Sequence, residues 1–416
     1  MANSTRIPIT NVYMAGDYTG RILVGPQQQP MNVILDTGSS ALALDGRKYA
    51  PQLTKGDQST KLAQTDAYGD GSTWTGAVIK SAVVAGTGSS SVTLKDANVA
   101  VAYSASANMF GSSDGILGLA YAPLDDAFTM PQDIWKEKYS ATEVRTGKPT
   151  PLVPYMTQLQ QEGLASDTMA FLTRRSFVHA GGGGEADPLN QGWMIIGGGE
   201  EATDLYTGSF QTVKVLSDSW YCTNLKSISV GKTSPIAARL QGPRGMPSNS
   251  IIDSGTNSLN LGKQLLQALL SKFTPAQQQL LVKSMKGRPV SVGDLNLATW
   301  PTLTFVLEGD TGDVTLQVPP SNYWQVNTGK VGAAAVAITQ GQDGLAILGL
   351  PLMNAYFTIF DGEADGGRGV VKFATAKADA RTETLVVSQS SAPSPRSARS
   401  LRSKRNKRPV RRRAHR

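Results

Sequence analysis

The sequence predicts an all-β protein of two similar lobes. Three observations carry that expectation. Short apolar runs are broken throughout by Gly, Asn, Asp and Ser; an Asp–hydroxyl–Gly–hydroxyl motif occurs twice; and a Gly-centred apolar run follows each copy. The first copy is Asp36-Thr37-Gly38-Ser39-Ser40, at the end of the apolar run Met31–Leu35. The second is Asp253-Ser254-Gly255-Thr256, at the end of Ser250-Ile251-Ile252 and 217 positions further on, which is about one domain length. Asp114-Gly115-Ile116-Leu117-Gly118-Leu119 follows the first copy and Ala346-Ile347-Leu348-Gly349-Leu350 the second. This order reads as an internal duplication, with lobes over 1–188 and 189–379 and a tail over 380–416.

Taken from the N-terminus, Val12-Tyr13-Met14 and Thr19–Gly25 read as strands, and the turn Pro26–Pro30 leads into the strand that ends at Asp36. Gly38 permits the tight turn beyond it. Ser40 to Ala43 carries the chain away on small residues. Gly69-Asp70-Gly71 lies between β-prone runs, which makes Ala67–Gly76 a hairpin, either a plain surface hairpin or a lid with an aromatic near its tip. Asp125–Thr150 is a polar insertion. Tyr155, Met156 and Leu159 fall at helical spacing within Val153–Gly163. The Gly-rich stretch Ala180–Asp187 reads as an exposed joint near the lobe boundary. Helices are expected over Gln264–Lys272 and, opened by Thr274-Pro275, over Ala276–Met285. The last strands are Ala355–Phe360 and Gly369–Phe373. Beyond Ala380 the chain is rich in Ser, Pro and Arg without apolar periodicity, as in disordered segments.

Composition narrows the chemistry. Cys222 is the single cysteine, so no internal disulfide can form, which suits a reducing compartment. It reads as a small buried filler. His179 and His415 are the only histidines, which argues against Ser-His-Asp and Cys-His catalysis and against a zinc site built from several histidines. Carboxylates are left to move protons in any hydrolase of this composition. No stretch approaches the roughly 18 consecutive apolar residues of a membrane span. Met1–Pro8 lacks an apolar signal segment, so the expected location is the cytoplasm. Of 40 Lys and Arg, eleven fall in Arg396–Arg416 without any acid, which leaves 29 against 32 acidic residues in the rest. The tail therefore holds all the excess basicity. It suits phosphates of nucleic acid or an anionic lipid surface, without sequence readout, or else is simply solvated.

Over residues 7–377 these segments resemble the pepsin-like aspartic peptidases. The resemblance runs in order through Tyr13…Thr19-Gly20, Asp36–Ser40, Tyr68-Gly69-Asp70-Gly71-Ser72, Asp114–Leu119 and Tyr206-Thr207-Gly208-Ser209. In the second half it continues through Ile252–Thr256, Ile347-Leu348-Gly349 and Phe357–Asp361. Two motif copies in one chain differ from the retroviral form, which dimerises, and imply a monomer. The resemblance implies a bilobal acid-protease fold with a deep cleft, on whose floor Asp36 and Asp253 face each other as the catalytic pair. Two adjacent carboxylates share one proton, so that one can activate water while the other polarises the scissile carbonyl. Thr37 and Ser254 would bridge the two loops, Ser39 and Thr256 would hold the outer carboxylate oxygens, and Gly38 and Gly255 would let backbone N–H groups approach. Tyr68, Gly69 and Asp70 would belong to a flap closing over an extended peptide. Met109, Phe110, Ile116 and Ile251 are either pocket walls or plain core. No metal or cofactor is implied. The implied substrate is a peptide or unfolded protein with apolar residues beside the cut, at acid-leaning pH, and pepstatin-type inhibitors are expected to bind.

Three departures from the family pattern stand out. Ala43 occupies the place where animal members carry a Trp that steadies the flap Tyr, and Trp74 is a candidate replacement. The usual disulfides are absent. The chain starts where a mature enzyme would, which implies direct folding without a pro-segment, as in bacterial cytosolic homologues. A second reading is a catalytically weak peptide-binding or nucleic-acid-tethered protein on the same scaffold.

Overall fold

Antiparallel pairing begins with the first residues. The computed structural model describes residues 4–377 apart from 15, 133, 136, 137, 239–241 and 243–245. Strands Thr5–Met14 (β1), Asp17–Val24 (β2) and Gln29–Asp36 (β3) form a meander. After it come Leu42–Asp45 (β4), Gln58–Ala67 (β5), Thr73–Ala85 (β6), Val92–Ala105 (β7) and Gly115–Gly118 (β8). The order β6-β7-β4-β8-β3-β2 closes on itself because Ile22–Val24 of β2 also pair with Val83–Ala85 of β6. Closure leaves this barrel no free edge. Its inward residues, among them Ile22, Val24, Val33, Leu35, Leu44, Ile79, Leu94 and Val99, are buried together.

The duplication seen in the sequence is realised strand for strand. In the first half β8 lies parallel to β3, with Ile34 opposite Ile116 and Asp36 opposite Gly118, and antiparallel to β4. In the second half Ala346–Leu348 lies parallel to Ser250–Ile252, with Ile251 opposite Ile347, and antiparallel to Leu259–Gly262. The Gly-centred runs are explained by close approach. A Cβ on Gly118 would sit 2.4 Å from the Ser40 carbonyl carbon, and one on Gly349 would sit 2.1 Å from the Thr256 carbonyl oxygen. Each glycine lets its strand end tuck behind the loop that carries an Asp.

The two halves are joined by strand pairing. Gln191–Ile196 pairs with β1 and with Thr168–Leu172, which pairs in turn with Tyr356–Asp361 from the far end of the chain. Val370–Ala376 and Tyr206–Lys214 complete that layer. The remaining second-half strands form sheets of five, four and three. The expected helices are present, at Tyr155–Gln161, Lys263–Leu270 and Pro275–Met285. The last is opened by a capping box, with the Gln277 N–H donating to Thr274 Oγ1 and the Thr274 N–H donating to Gln277 Oε1. The stretch expected to be a polar insertion contains more order than its composition suggests. Asp126–Thr129 pairs with Lys148–Pro151 and extends the β5 edge. Pro149 and Pro151 are tolerated there because an outer strand needs N–H donors on one side only. Cys222 is fully buried and burial raises its thiol pKa, so it is no nucleophile. The basic tail lies outside the described residues.

Candidate active site

Both aspartates stand where a strand gives way to a turn, Asp36 closing β3 and Asp253 following Ser250–Ile252. The turns after them are locked to each other crosswise. The Thr37 N–H donates to Ser254 Oγ at 3.0 Å and the Ser254 N–H donates to Thr37 Oγ1 at 2.9 Å. Each hydroxyl then donates onward across the interface, Thr37 to the Ile252 carbonyl at 3.3 Å and Ser254 to the Leu35 carbonyl at 2.7 Å. These groups are buried, so every donor and acceptor in this knot needs its partner. Ser254→Ala is expected to cost about 1–3 kcal/mol, because it orphans the Thr37 N–H and the Leu35 carbonyl. Thermal unfolding at one fixed pH measures it, and an unchanged midpoint would show that the knot adds nothing.

The carboxylates are held from below and outside by matched sets. For Asp36 the Gly38 N–H donates to Oδ1 at 2.8 Å and Ser39 Oγ to Oδ2 at 2.5 Å. For Asp253 the Gly255 N–H donates to Oδ1 at 2.8 Å and Thr256 Oγ1 to Oδ2 at 2.6 Å. The glycines are also steric requirements. A Cβ on Gly255 would lie 2.2 Å from Asp36 Oδ1, and one on Gly38 would lie 2.9 Å from Asp253 Oδ1. Each loop's glycine thus makes room for the other loop's carboxylate, which puts the two acids face to face.

Electrostatics follow from that placement. Burial, then the charge of Asp253, pushes the Asp36 carboxyl up, against the pull of Ser39 and the Gly38 N–H. Burial pushes Asp253 up too, opposed by Thr256, the Gly255 N–H and its hydrogen bond with Asp36. Two enclosed acids that repel and hydrogen-bond each other hold one proton between them over a broad pH range. Such a pair can present both an ionised base and a protonated acid to one water.

The flap residues lie across the site on the β5–β6 hairpin. The Tyr68 N–H bonds the Ser72 carbonyl, and Asp70 Oδ1 accepts from the Ser72 N–H and hydroxyl, closing the turn. Gly69 and Asp70 are exposed. The Tyr68 ring is half-buried, its hydroxyl meeting Ser39 and feeling the Asp36 charge. Trp74 Nε1 donates to Tyr68 Oη at 3.2 Å. Trp74 itself is fully buried among Ile34, Ala41, Ala43, Ala100, Ala102, Met109, Phe110 and Ile116. The alanine at 43 is therefore matched by an indole arriving from β6. Met109, Phe110 and Ile116 form the apolar bed of this hairpin, whereas Ile251 lies outside that cluster, on the second-half sheet.

Several residues at the site escaped the sequence reading. Trp220 Nε1 donates to the Gly38 carbonyl at 2.9 Å, fastening the first Asp loop from a segment 182 positions away. Ile347, already marked by the duplicated Ile-Leu-Gly, holds the register place equivalent to Ile116. Asp17 opens β2 after the turn that packs on the second Asp loop, and burial, then the charges of Asp253, Asp36 and Asp70, push its carboxyl well up.

Comparison with known proteins gives the same reading. The family model described as eukaryotic aspartyl protease matches residues 17–144 and 185–375. Rhizopuspepsin-5 of Rhizopus niveus is 27% identical over 282 residues, covering 64% of this chain and 60% of that protein. Human gastricsin is 25% identical over 375 residues, covering 88% and 82%. Vacuolar protease A of Neurospora crassa is 25% identical over 390 residues, covering 89% and 81%.

Proposed function

The chain belongs to the eukaryotic aspartyl protease family, which makes it an aspartic-type endopeptidase, and we propose that it cleaves unfolded or extended polypeptide on the acid side of neutrality, beside apolar residues. The observation that carries this reading is the matched pair of carboxylate cradles, locked to each other through Thr37 and Ser254. The ionised member takes a proton from a water between the two acids. The protonated member hydrogen-bonds the scissile carbonyl, and water attacks its carbon. The tetrahedral diol then collapses as a carboxyl group protonates the departing amine. No covalent enzyme intermediate is formed, and the lone buried thiol has no part. Met109, Phe110 and Ile116 are buried core, and the half-buried Tyr68 packed on them supports the preference for apolar side chains.

We further propose that the enzyme works as a monomer in the cytoplasm, a reading supported by two complete Asp loops in one chain and by a single cysteine. The basic stretch Arg396–Arg416 would tether it to nucleic acid or an anionic surface.

Cleavage of an unfolded protein from pH 3 to 7 tests the central claim. Because the dyad must keep one proton and both carboxyls are shifted upward, turnover is expected on the acid side and to fall as the shared proton is lost with rising pH. A pepstatin-type inhibitor should abolish it. Folded protein that cuts nothing at any pH would favour a binding scaffold instead.

A further inference from the structure

A buried polar bond ties the flap to the first Asp loop. Gln64 Nε2 donates to Asp125 Oδ1 at 2.7 Å and lies 3.5 Å from the Asp126 carbonyl oxygen. Gln64 is 4% exposed and Asp125 3%, so the bond is shielded from water. Gln64 belongs to β5, the flap arm that leads into Tyr68. Asp125 ends the 3₁₀ turn Ala122–Leu124, its N–H donating to the Ala122 carbonyl at 2.9 Å. The chain just before that turn is stitched to Asp36 and the loop after it. The Leu119 N–H donates to the Asp36 carbonyl and the Ala120 N–H to the Ser39 carbonyl, both at 2.8 Å. Ser40 Oγ donates to the Tyr121 carbonyl at 2.7 Å.

Strand pairing shows why the bond matters. On its inner side β5 pairs with β6 from Ala63 to Ala67. On its outer side it pairs with Asp126–Thr129 only at Leu62 and Ala63. Among the described residues no strand covers the outer side from Gln64 to the tip, and the Gln64 side chain supplies the next tie. The tip itself, Gly69 and Asp70, is exposed. We propose that Gln64 and Asp125 are positioning residues for peptide hydrolysis: their bond holds the β5 arm, and with it Tyr68, in place over the Asp36 loop. The inference rests on the endopeptidase reading above and goes beyond it in naming what sets the flap.

The tie is also sensitive to protons. Burial, then the charges of Asp66 and Asp126, push the Asp125 carboxyl up to about 7 against the pull of Gln64. Asp66 lies two residues beyond Gln64, hence on the same face of β5. Arg145, just after the short helix Ala141–Val144, acts on Asp66. The folded value of Asp125 is raised, so its contribution is intact below the ordinary carboxyl range and is lost as pH rises through about 7. An ionised Asp125 enclosed beside two acids is relieved by opening toward water, and the flap arm loses its tie.

Hydrogen exchange of the flap hairpin tests this in the full chain carrying Asp36→Asn and Asp253→Asn, which removes both self-digestion and the titration of the dyad. The reporters are the amides that close the tip, the Tyr68 N–H on the Ser72 carbonyl and the Gly71 N–H on the Tyr68 carbonyl. Corrected for intrinsic rates, their opening should stay level from about pH 5 to 6.5. Above pH 7 it should rise by up to about tenfold per pH unit, the limit for release of one proton. Adding Asp125→Asn, whose amide oxygen still accepts from Gln64, should keep the opening level to about pH 8. Gln64→Leu should raise the opening already at about pH 5, and in the otherwise wild-type enzyme should lower kcat/KM there about tenfold. Identical pH profiles with and without Asp125→Asn would overturn the proposal, as would unchanged opening or unchanged kcat/KM in folded Gln64→Leu. Should Gln64→Leu fail to fold, the Asp125→Asn profile decides alone. Absence of cleavage by the wild type would count only against the endopeptidase reading, since exchange needs no turnover.

Discussion

Asp36→Asn and Asp253→Asn should each lower kcat by at least about a thousandfold while the protein stays folded. Either change removes the only arrangement in the site that supplies both an ionised and a protonated carboxyl to one water, and acid–base groups acting as a unit are lost together. The double variant should accordingly be little worse than either single one. Stability should move the other way. Asp36 has a folded pKa raised above its ordinary value, so its contribution is intact below the ordinary carboxyl range and is lost as pH rises through the raised value. Asparagine carries no such penalty. The melting temperature of Asp36→Asn should thus fall less than that of the wild type as pH is raised from about 4 to 8, under a calorimetric scan. Cleavage surviving at a tenth of the wild-type rate in either variant would remove the dyad from the mechanism. A wild-type melting point that rises over that pH interval would contradict the enclosed, mutually repelling pair.

Much of this site was legible because the duplication writes it twice. Asp, hydroxyl, Gly, hydroxyl recurs with a later Ile-Leu-Gly, and each element has one geometric reason. The first Gly clears the facing carboxylate, and Gly118 and Gly349 clear the loop behind. The flap was legible for a similar reason, since a Gly-Asp-Gly turn between β-prone runs has few alternatives. What escaped notice depends on adjacency that no local pattern encodes. Trp220 reaches Gly38 across 182 positions, and the β1–β2 turn comes against the second Asp loop at Asn257, where a Cβ on Gly16 would lie 3.4 Å from Asn257 Cβ. The pairing of Thr168–Leu172 with Tyr356–Asp361 likewise joins two apolar strands whose sequences name no partner. Asp126–Thr129 and Lys148–Pro151 were hidden by charge and proline, which an outer strand accepts and a central one would not.

Trp74 should prove the most expensive single side chain near the flap. It is fully buried in a bed of which half is alanine, Ala41, Ala43, Ala100 and Ala102, and these cannot close over a void of indole size. Trp74→Ala is therefore expected to cost about 3–5 kcal/mol in unfolding free energy. Trp74→Phe separates packing from hydrogen bonding. It keeps most of the volume but deletes the Nε1–H that reaches Tyr68 Oη, so its main effect should fall on turnover, because a Tyr68 left unheld orders the substrate less well. Ala43 supplies the sharper experiment. Ala43→Trp alone places a second indole in a filled cluster and should destabilise by about 1–3 kcal/mol through overpacking. Combined with Trp74→Ala, the new indole has a cavity to enter. The double variant should then be more stable than the sum of the two single changes by about 1 kcal/mol or more, as coupling between neighbours allows. Additive losses would mean that positions 43 and 74 do not share one space. Coupling in stability together with recovered kcat would show that the flap needs an indole beneath Tyr68 and accepts it from either strand.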